Sequence, residues 1–259
     1  MRSARAFTVE DPTSTESRRR LAAEAVPQTY RYQRWVSAET TKRLQAAFQA
    51  VEQSMERAPD ETPEVRARDF MLALGVTVET GVLVPVMAPE KRAKVRDACA
   101  MLVATLFERQ IVEDKGLLAL HVAPPGLVVQ VERAPSEVEA ERELKGLDRV
   151  YGLEQARAAV DELVAERLAH LEPEAQRATS ALVKKVVRPN LVPDLEETAR
   201  RRRVAAESVK PALYQVAAGE VVVRQGQLVQ EQQRLLLAGL RRDLETQSRT
   251  QLLAGSALF

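Results

Sequence analysis

The chain has 259 residues, of which 45% are hydrophobic and 29% charged, so it can bury a sizeable core and is not a disordered segment. Its 38 basic and 37 acidic side chains leave a net charge of +1, which excludes a global electrostatic pull toward nucleic acid. One cysteine excludes an internal disulfide, and aromatics at 4% leave helix interfaces to Ala, Leu and Val.

In chain order, Asp11 precedes a helix with a small-residue face, followed by Pro27 and the extended stretch 29–32. Ser37 opens a longer helix in which Leu44, Phe48, Val51 and Met55 recur at helical spacing, until Pro59 and Pro63 end it. A shorter helix carries Phe70, Leu72 and Leu74 to Gly75, and Thr77 caps another through Leu83. After Pro89 comes a strong apolar stripe: Val95, Ala98, Cys99, Leu102, Val103 and Leu106. Pro124-Pro125-Gly126 separates LLALHV from LVVQVE, a pattern of two short strands or an extended excursion. Helices are expected again near 137–149, 153–171 and 173–187. Gly219 and Gly226 then punctuate Val-rich runs as in tight β-turns, and a helix over roughly 230–244 closes the fold with Leu235, Leu236, Leu237 and Leu240. The fold class is α+β, mainly α.

The chain contains a repeat. Residues 11–26 and 194–209, offset by 183, share Asp11/Asp194, Thr15/Thr198, Arg18/Arg201, Arg19/Arg202, Arg20/Arg203, Ala22/Ala205, Ala23/Ala206, Glu24/Glu207 and Val26/Val209. Each copy passes a proline, Pro27 or Pro211, into a tyrosine-bearing extended stretch. Two copies this far apart are too few for a solenoid and read as matching helix–strand arms around an insert. The expected organisation is an arm over 1–36, a helical insert over 37–187, a second arm over 188–245 and a tail over 246–259. The two arms would form one small mixed subdomain.

Catalytic patterns are scarce. His121 and His170 are the two histidines; neither sits in HExxH, neither is followed by Asp, and neither neighbours Cys99. Both read as structural, and Cys99, on an apolar stripe, reads as a small buried hydrophobe. No GxxxxGK[ST], GxGxxG or GxSxG occurs. Glu139, Glu141 and Glu143, with Glu196 and Glu197, fall on expected helices near Arg and Lys, the pattern of solvated ion pairs. Glu220 and Arg224 are polar groups in an apolar context, expected to shape a turn. Arginines at 18–20 and 200–203 spread around their helices, a solvated face; packed together they would make a basic patch suited to anionic headgroups. No catalytic, cofactor-binding or metal-ligating residue is expected, no cofactor is called for, and the ligand-binding residues stay unassigned.

No run reaches the roughly 18–20 apolar residues of a membrane span, and Met1 to Asp11 lacks an apolar signal core. The C-terminal string over 189–240 carries Pro189-Asn190-Leu191, Asp194, Glu197-Thr198, Val209, Gly219-Glu220-Val221, Arg224, Gly226 and Leu237 to Leu240. With these elements it resembles the extracellular domain of the seven-transmembrane HD-type phosphohydrolases, and residues 7–32 look like that domain's opening. The resemblance implies a modular membrane protein, with one membrane helix before this domain, a bundle after it and a cytoplasmic metal-dependent HD domain that hydrolyses cyclic di-AMP. It implies an extracytoplasmic, periplasmic or cell-surface, location for a chain that follows the first membrane helix. No His-Asp pair occurs here, so the activity carries over to no residue and the chain is expected not to be an enzyme. The expected role is a sensory or regulatory domain that passes a ligand or partner signal to a cyclic-dinucleotide phosphodiesterase; the alternative is a dimerising or partner-docking module with no small ligand. The expected partners are the membrane in the full-length protein and an unidentified small-molecule or cell-envelope ligand, with a homodimer left open and no nucleic acid.

Overall fold

The computed structural model describes residues 2–224, 226 and 228–242. The expected tail over 246–259 and the last two residues of the closing helix lie outside them. The fold is α+β and mainly helical, and it divides into two compact units, one of 1–26 with 199–259 and one of 27–198.

The larger unit is built on α2 (Trp35–Arg57), α3 (Pro63–Leu74), α4 (Thr80–Leu83), α5 (Pro89–Leu106), α7 (Leu153–Arg167) and α8 (Pro173–Val186). Apolar positions every three or four residues decide how these helices bury. On α2, Leu44, Phe48 and Val51 are buried, and the Phe48 ring meets Phe70 of α3 at 4.7 Å between centroids. On α5 the whole stripe from Val95 to Leu106 is buried, and α8 buries Ala178, Leu182 and Val183 against the same core. Gly75 ends α3 in the left-handed conformation at φ 72°, which a side chain would oppose. Leu72, read with the apolar face of α3, instead points to solvent.

A second core lies in the same unit under a four-stranded sheet of order β5-β4-β2-β7. Its strands are β2 (Gln28–Gln33), β4 (Leu127–Ala134), β5 (Glu137–Glu143) and β7 (Leu191–Pro193). Strand β2 runs parallel to β4 and antiparallel to β7, while β4 and β5 form an antiparallel hairpin. Two short strands, β3 (Gln110–Val112) and β6 (Val150–Gly152), pair in parallel beside it.

Three sequence expectations fail here. Residues 137–149 are not a helix: EVEAERE is the edge strand β5, followed by a turn. Its Glu, Ala and Arg are helix formers, but the turn through Pro135 and Ser136, with Ser136 at φ 63°, folds it back along β4, whose ladder overrides propensity. The run LLALHV is not a strand but lies in α6 (Lys115–Val122), because Asp114 caps its start, its carboxylate accepting from the Gly116 and Leu117 amides. LVVQVE is a strand as expected, within β4. The short helix α4 begins at Thr80 rather than at Thr77.

The smaller unit contains β1 (Phe7–Asp11), α1 (Pro12–Glu24), β8 (Ala212–Val216) and helical backbone over 231–242. Helix α9 (Leu195–Glu207) opens in the larger unit and continues into the smaller one. Strands β1 and β8 pair antiparallel from Phe7↔Val216 to Asp11↔Ala212. The turn after β8 is closed by Ser3, whose amide donates to the Glu220 carbonyl at 2.9 Å and whose carbonyl accepts from Gly219 at 2.7 Å. Gly219 sits at φ 82° in that turn. Gly239 lies against β1 so closely that a Cβ there would overlap Val9.

Candidate functional site

The repeat becomes a strand–helix–strand element present twice, β1-α1-β2 and β7-α9-β8, and in each copy an aspartate joins the first strand to the helix. Asp11 caps α1, its carboxylate accepting from the Ser14 amide at 3.0 Å, and Asp194 caps α9, accepting from the Glu197 amide at 2.9 Å. The shared threonine one turn later has a second task. The Thr15 hydroxyl donates to the Asp11 carbonyl at 2.6 Å and accepts from the Ala212 amide at 2.9 Å. The Thr198 hydroxyl donates to the Asp194 carbonyl at 2.7 Å and accepts from the Thr29 amide at 2.9 Å. Ala212 and Thr29 are themselves equivalent, 212 − 183 being 29.

In both places the amide caught by the threonine belongs to the other copy. The first strand of each copy pairs with the last strand of its mate: β1 with β8, and β7 with β2. Position numbers of paired residues add to 223 in both ladders, as 11 with 212 and 31 with 192, so the two registers are equivalent. We call each arrangement a clasp. The Asp–Thr pair is fixed in both copies because it supplies a cap and an acceptor for a buried strand amide at once.

The clasps differ in what holds the capping carboxylate. At Asp11, hydrogen bonds from Ser14, its side chain first and then its amide, and from the Tyr214 phenol hold the carboxyl below its usual range. At Asp194 the equivalent position, 214 − 183, is Arg31, whose Nε lies 3.3 Å from the carboxylate. Arg31 also reaches Glu132 of β4 at 3.7 Å. Glu132 is 1% exposed and accepts from the Trp35 indole at 3.3 Å. A charge chain therefore runs from the sheet interior to the start of α9.

Asn190, inside the Pro-Asn-Leu motif, ties the sheets of the larger unit together. Its Oδ1 accepts from the Ile111 amide at 2.6 Å and its Nδ2 donates to the Arg109 carbonyl at 3.0 Å. Its backbone bonds Ile111 and Gln33.

The other residues singled out in the sequence are dispersed. His121 Nδ1 lies 2.8 Å from the Tyr30 hydroxyl at the edge of the second core, while His170 is exposed in a turn. Cys99 is fully buried, and burial pushes its thiol up to about 12. Glu139, Glu141 and Glu143 stand on strand β5 rather than on a helix, meeting Arg34, Gln130 and Lys145. Glu196 and Glu197 lie in the first turn of α9. Glu220 closes the turn after β8, its carboxylate accepting from the Ala217 amide at 2.7 Å. Arg18 to Arg20 lie on α1, with Arg20 paired to Glu24 at 3.9 Å, and Arg200 to Arg203 lie on α9. Among the described residues, no group of three His, Cys, Asp or Glu side chains is arranged to hold a metal ion, and no helix is long and apolar enough to cross a membrane.

A family model described as 7TM-HD extracellular matches residues 1–242, which includes both clasps. The chain belongs to the 7TM-HD extracellular family. Membership assigns it to the extracytoplasmic part of a membrane protein, and the matched model is that of the extracellular domain rather than of a catalytic HD domain. No curated protein and no solved structure matches the chain. Several positions that carried the resemblance have structural tasks within this 7TM-HD extracellular domain: Asn190 bridges strands, Asp194 and Thr198 form a clasp, and Gly219-Glu220 makes the turn held by Ser3.

Proposed function

We propose that the chain is a non-catalytic sensory or regulatory ectodomain that biases a cytoplasmic cyclic-dinucleotide phosphodiesterase, with cyclic di-AMP as the substrate. In this reading 1–36 and 188–245 form the membrane-proximal subdomain, and 37–187 is the insert that meets the ligand or partner. The observation that carries the reading is the β1–β8 ladder, which joins the N-terminal strand to a strand near the C-terminal end of the described chain. A signal altering the Arg31–Glu132–Asp194 chain acts at the start of α9, and α9 runs on into β8. A ligand shifts such an equilibrium only through its different affinity for the two states.

The test is made in the full-length protein in membranes. Thr8 and Gln215 are exposed cross-strand partners, and Cys99 is buried, so Thr8→Cys with Gln215→Cys forms a selective disulfide. Oxidation is expected to change cyclic di-AMP turnover severalfold and reduction to restore it. Equal turnover in both forms, with the crosslink confirmed, contradicts the reading.

A partner-docking or homodimerising module is the second reading. It is favoured by Leu117 and Leu120 on α6, which are 50% and 72% exposed. Concentration-dependent association that Leu120→Glu abolishes supports it.

A further inference from the structure

We propose that a cleft beside β3 in the larger unit binds a small zwitterion, an amino acid or short peptide, by its carboxylate and its ammonium group. The cleft has a volume of about 510 Å³, within the span of roughly 300–1,000 Å³ typical of small-ligand sites.

Its floor includes Gln110, which is 6% exposed. The Gln110 backbone amide donates to the Arg149 carbonyl at 3.3 Å, but its side-chain Nε2 has no hydrogen-bond partner. A buried amide donor without an acceptor is costly, and where one persists beside a cleft it marks a place for an acceptor from outside the chain. Arg142 of β5 and Arg149 line the same cleft, both exposed, and neither forms an ion pair among the described residues. A carboxylate satisfies this set, pairing with both guanidinium groups and accepting from the Gln110 amide.

Three carboxylates, Glu108, Glu143 and Asp148, share the wall with the two arginines. They would repel a ligand carrying only negative charge, and they supply acceptors for an ammonium group. Tyr32 lines the same cleft with a half-buried ring, its hydroxyl donating to the Phe107 carbonyl at 3.4 Å. The combination of an anion set, a cation set and an aromatic wall selects a ligand with both charges on a short stem.

A second cleft, of about 550 Å³ between α7 and α8, provides the contrast. Three of its polar groups already satisfy one another, Ser180 and Lys184 both donating to Asp161 at 2.7 and 2.5 Å.

The proposal gives the sensory reading its ligand class and rests on that reading for its consequence. Binding is measured on this chain alone and coupling in membranes, so the two fail separately. The binding test titrates the ¹⁵N-labelled chain with L-alanyl-L-alanine, its N-acetylated form, its C-terminal amide and inorganic phosphate, following the Gln110 side-chain amide and the Arg142 and Arg149 resonances. The dipeptide is expected to shift them saturably, and each capped form to bind at least tenfold more weakly. Gln110→Leu and Arg142→Ala are each expected to weaken the dipeptide at least tenfold; Arg142 is an exposed edge-strand residue, so its variant keeps the test open should Gln110→Leu fold poorly. No saturable shift by about 10 mM dipeptide, a level that reveals even millimolar binders, overturns the proposal. So do capped forms that bind equally well, phosphate shifting the resonances where the dipeptide does not, or unchanged affinity in Arg142→Ala.

Discussion

Replacing Thr198 by valine keeps its shape and removes one hydroxyl, which makes it a clean probe of a clasp. The hydroxyl makes two bonds, donating to the Asp194 carbonyl and accepting from the Thr29 amide, and Thr198 is 2% exposed while Thr29 is fully buried. Losing the first bond costs about 1 kcal/mol, and stranding the Thr29 amide adds about 1–3 kcal/mol, for a total of about 2–4 kcal/mol. Thr198→Ser keeps the oxygen and loses one methyl group, worth about 1 kcal/mol. The chain has one tryptophan, Trp35, inside the larger unit, so its fluorescence during urea unfolding reports on the unit that holds this clasp. Hydrogen exchange at the Thr29 amide supplies the local readout, with Thr198→Val expected to speed it by roughly 30-fold to several-hundred-fold. Equal destabilisation by valine and serine, with Thr29 still protected, would show that the hydroxyl carries no such bond and would refute the reasoning.

Asn190→Ala strands the Ile111 amide and the Arg109 carbonyl and is expected to cost about 2–4 kcal/mol in the same urea experiment. Glu132→Ala leaves the Trp35 indole and one side of Arg31 without their acceptor. We expect about 3 kcal/mol, the low end for a broken buried pair because the Arg31 side chain is 37% exposed, together with a shift in Trp35 emission. The Asp11 carboxyl titrates below its usual range in the folded chain, so its contribution is fully present above about pH 4 and is lost as pH falls through the lowered folded value. Asp11→Asn is therefore expected to narrow the difference between urea midpoints measured at pH 6 and at pH 3.

What was legible in the sequence was the periodic part. The stripes on α2 and α5 are buried as their spacing requires, and the two Asp-led helices begin at their caps. The repeat was legible because a residue with two tasks leaves a double signature: Thr15 and Thr198 recur at the same offset as the aspartates that precede them. The exchange of strands between copies was not, since pairing partners leave no mark on either strand alone. Strand β5 was hidden by Glu, Ala and Arg, which favour helices unless a hairpin partner overrides them, and α6 by an apolar run too short for periodicity to decide. The cleft beside β3 was invisible for a different reason. Gln110 is an ordinary residue type, and only its burial without an acceptor sets it apart.

Strand exchange between the two copies is the central claim, and nuclear Overhauser contacts in the isotope-labelled chain test it most directly. The account predicts cross-strand contacts of Val9 with Tyr214 and of Arg31 with Val192, together with contacts from the Ala212 amide to Thr15 and from the Thr29 amide to Thr198. Contacts that instead pair β1 with β2, or β7 with β8, would mean that each copy closes on itself, and would contradict it.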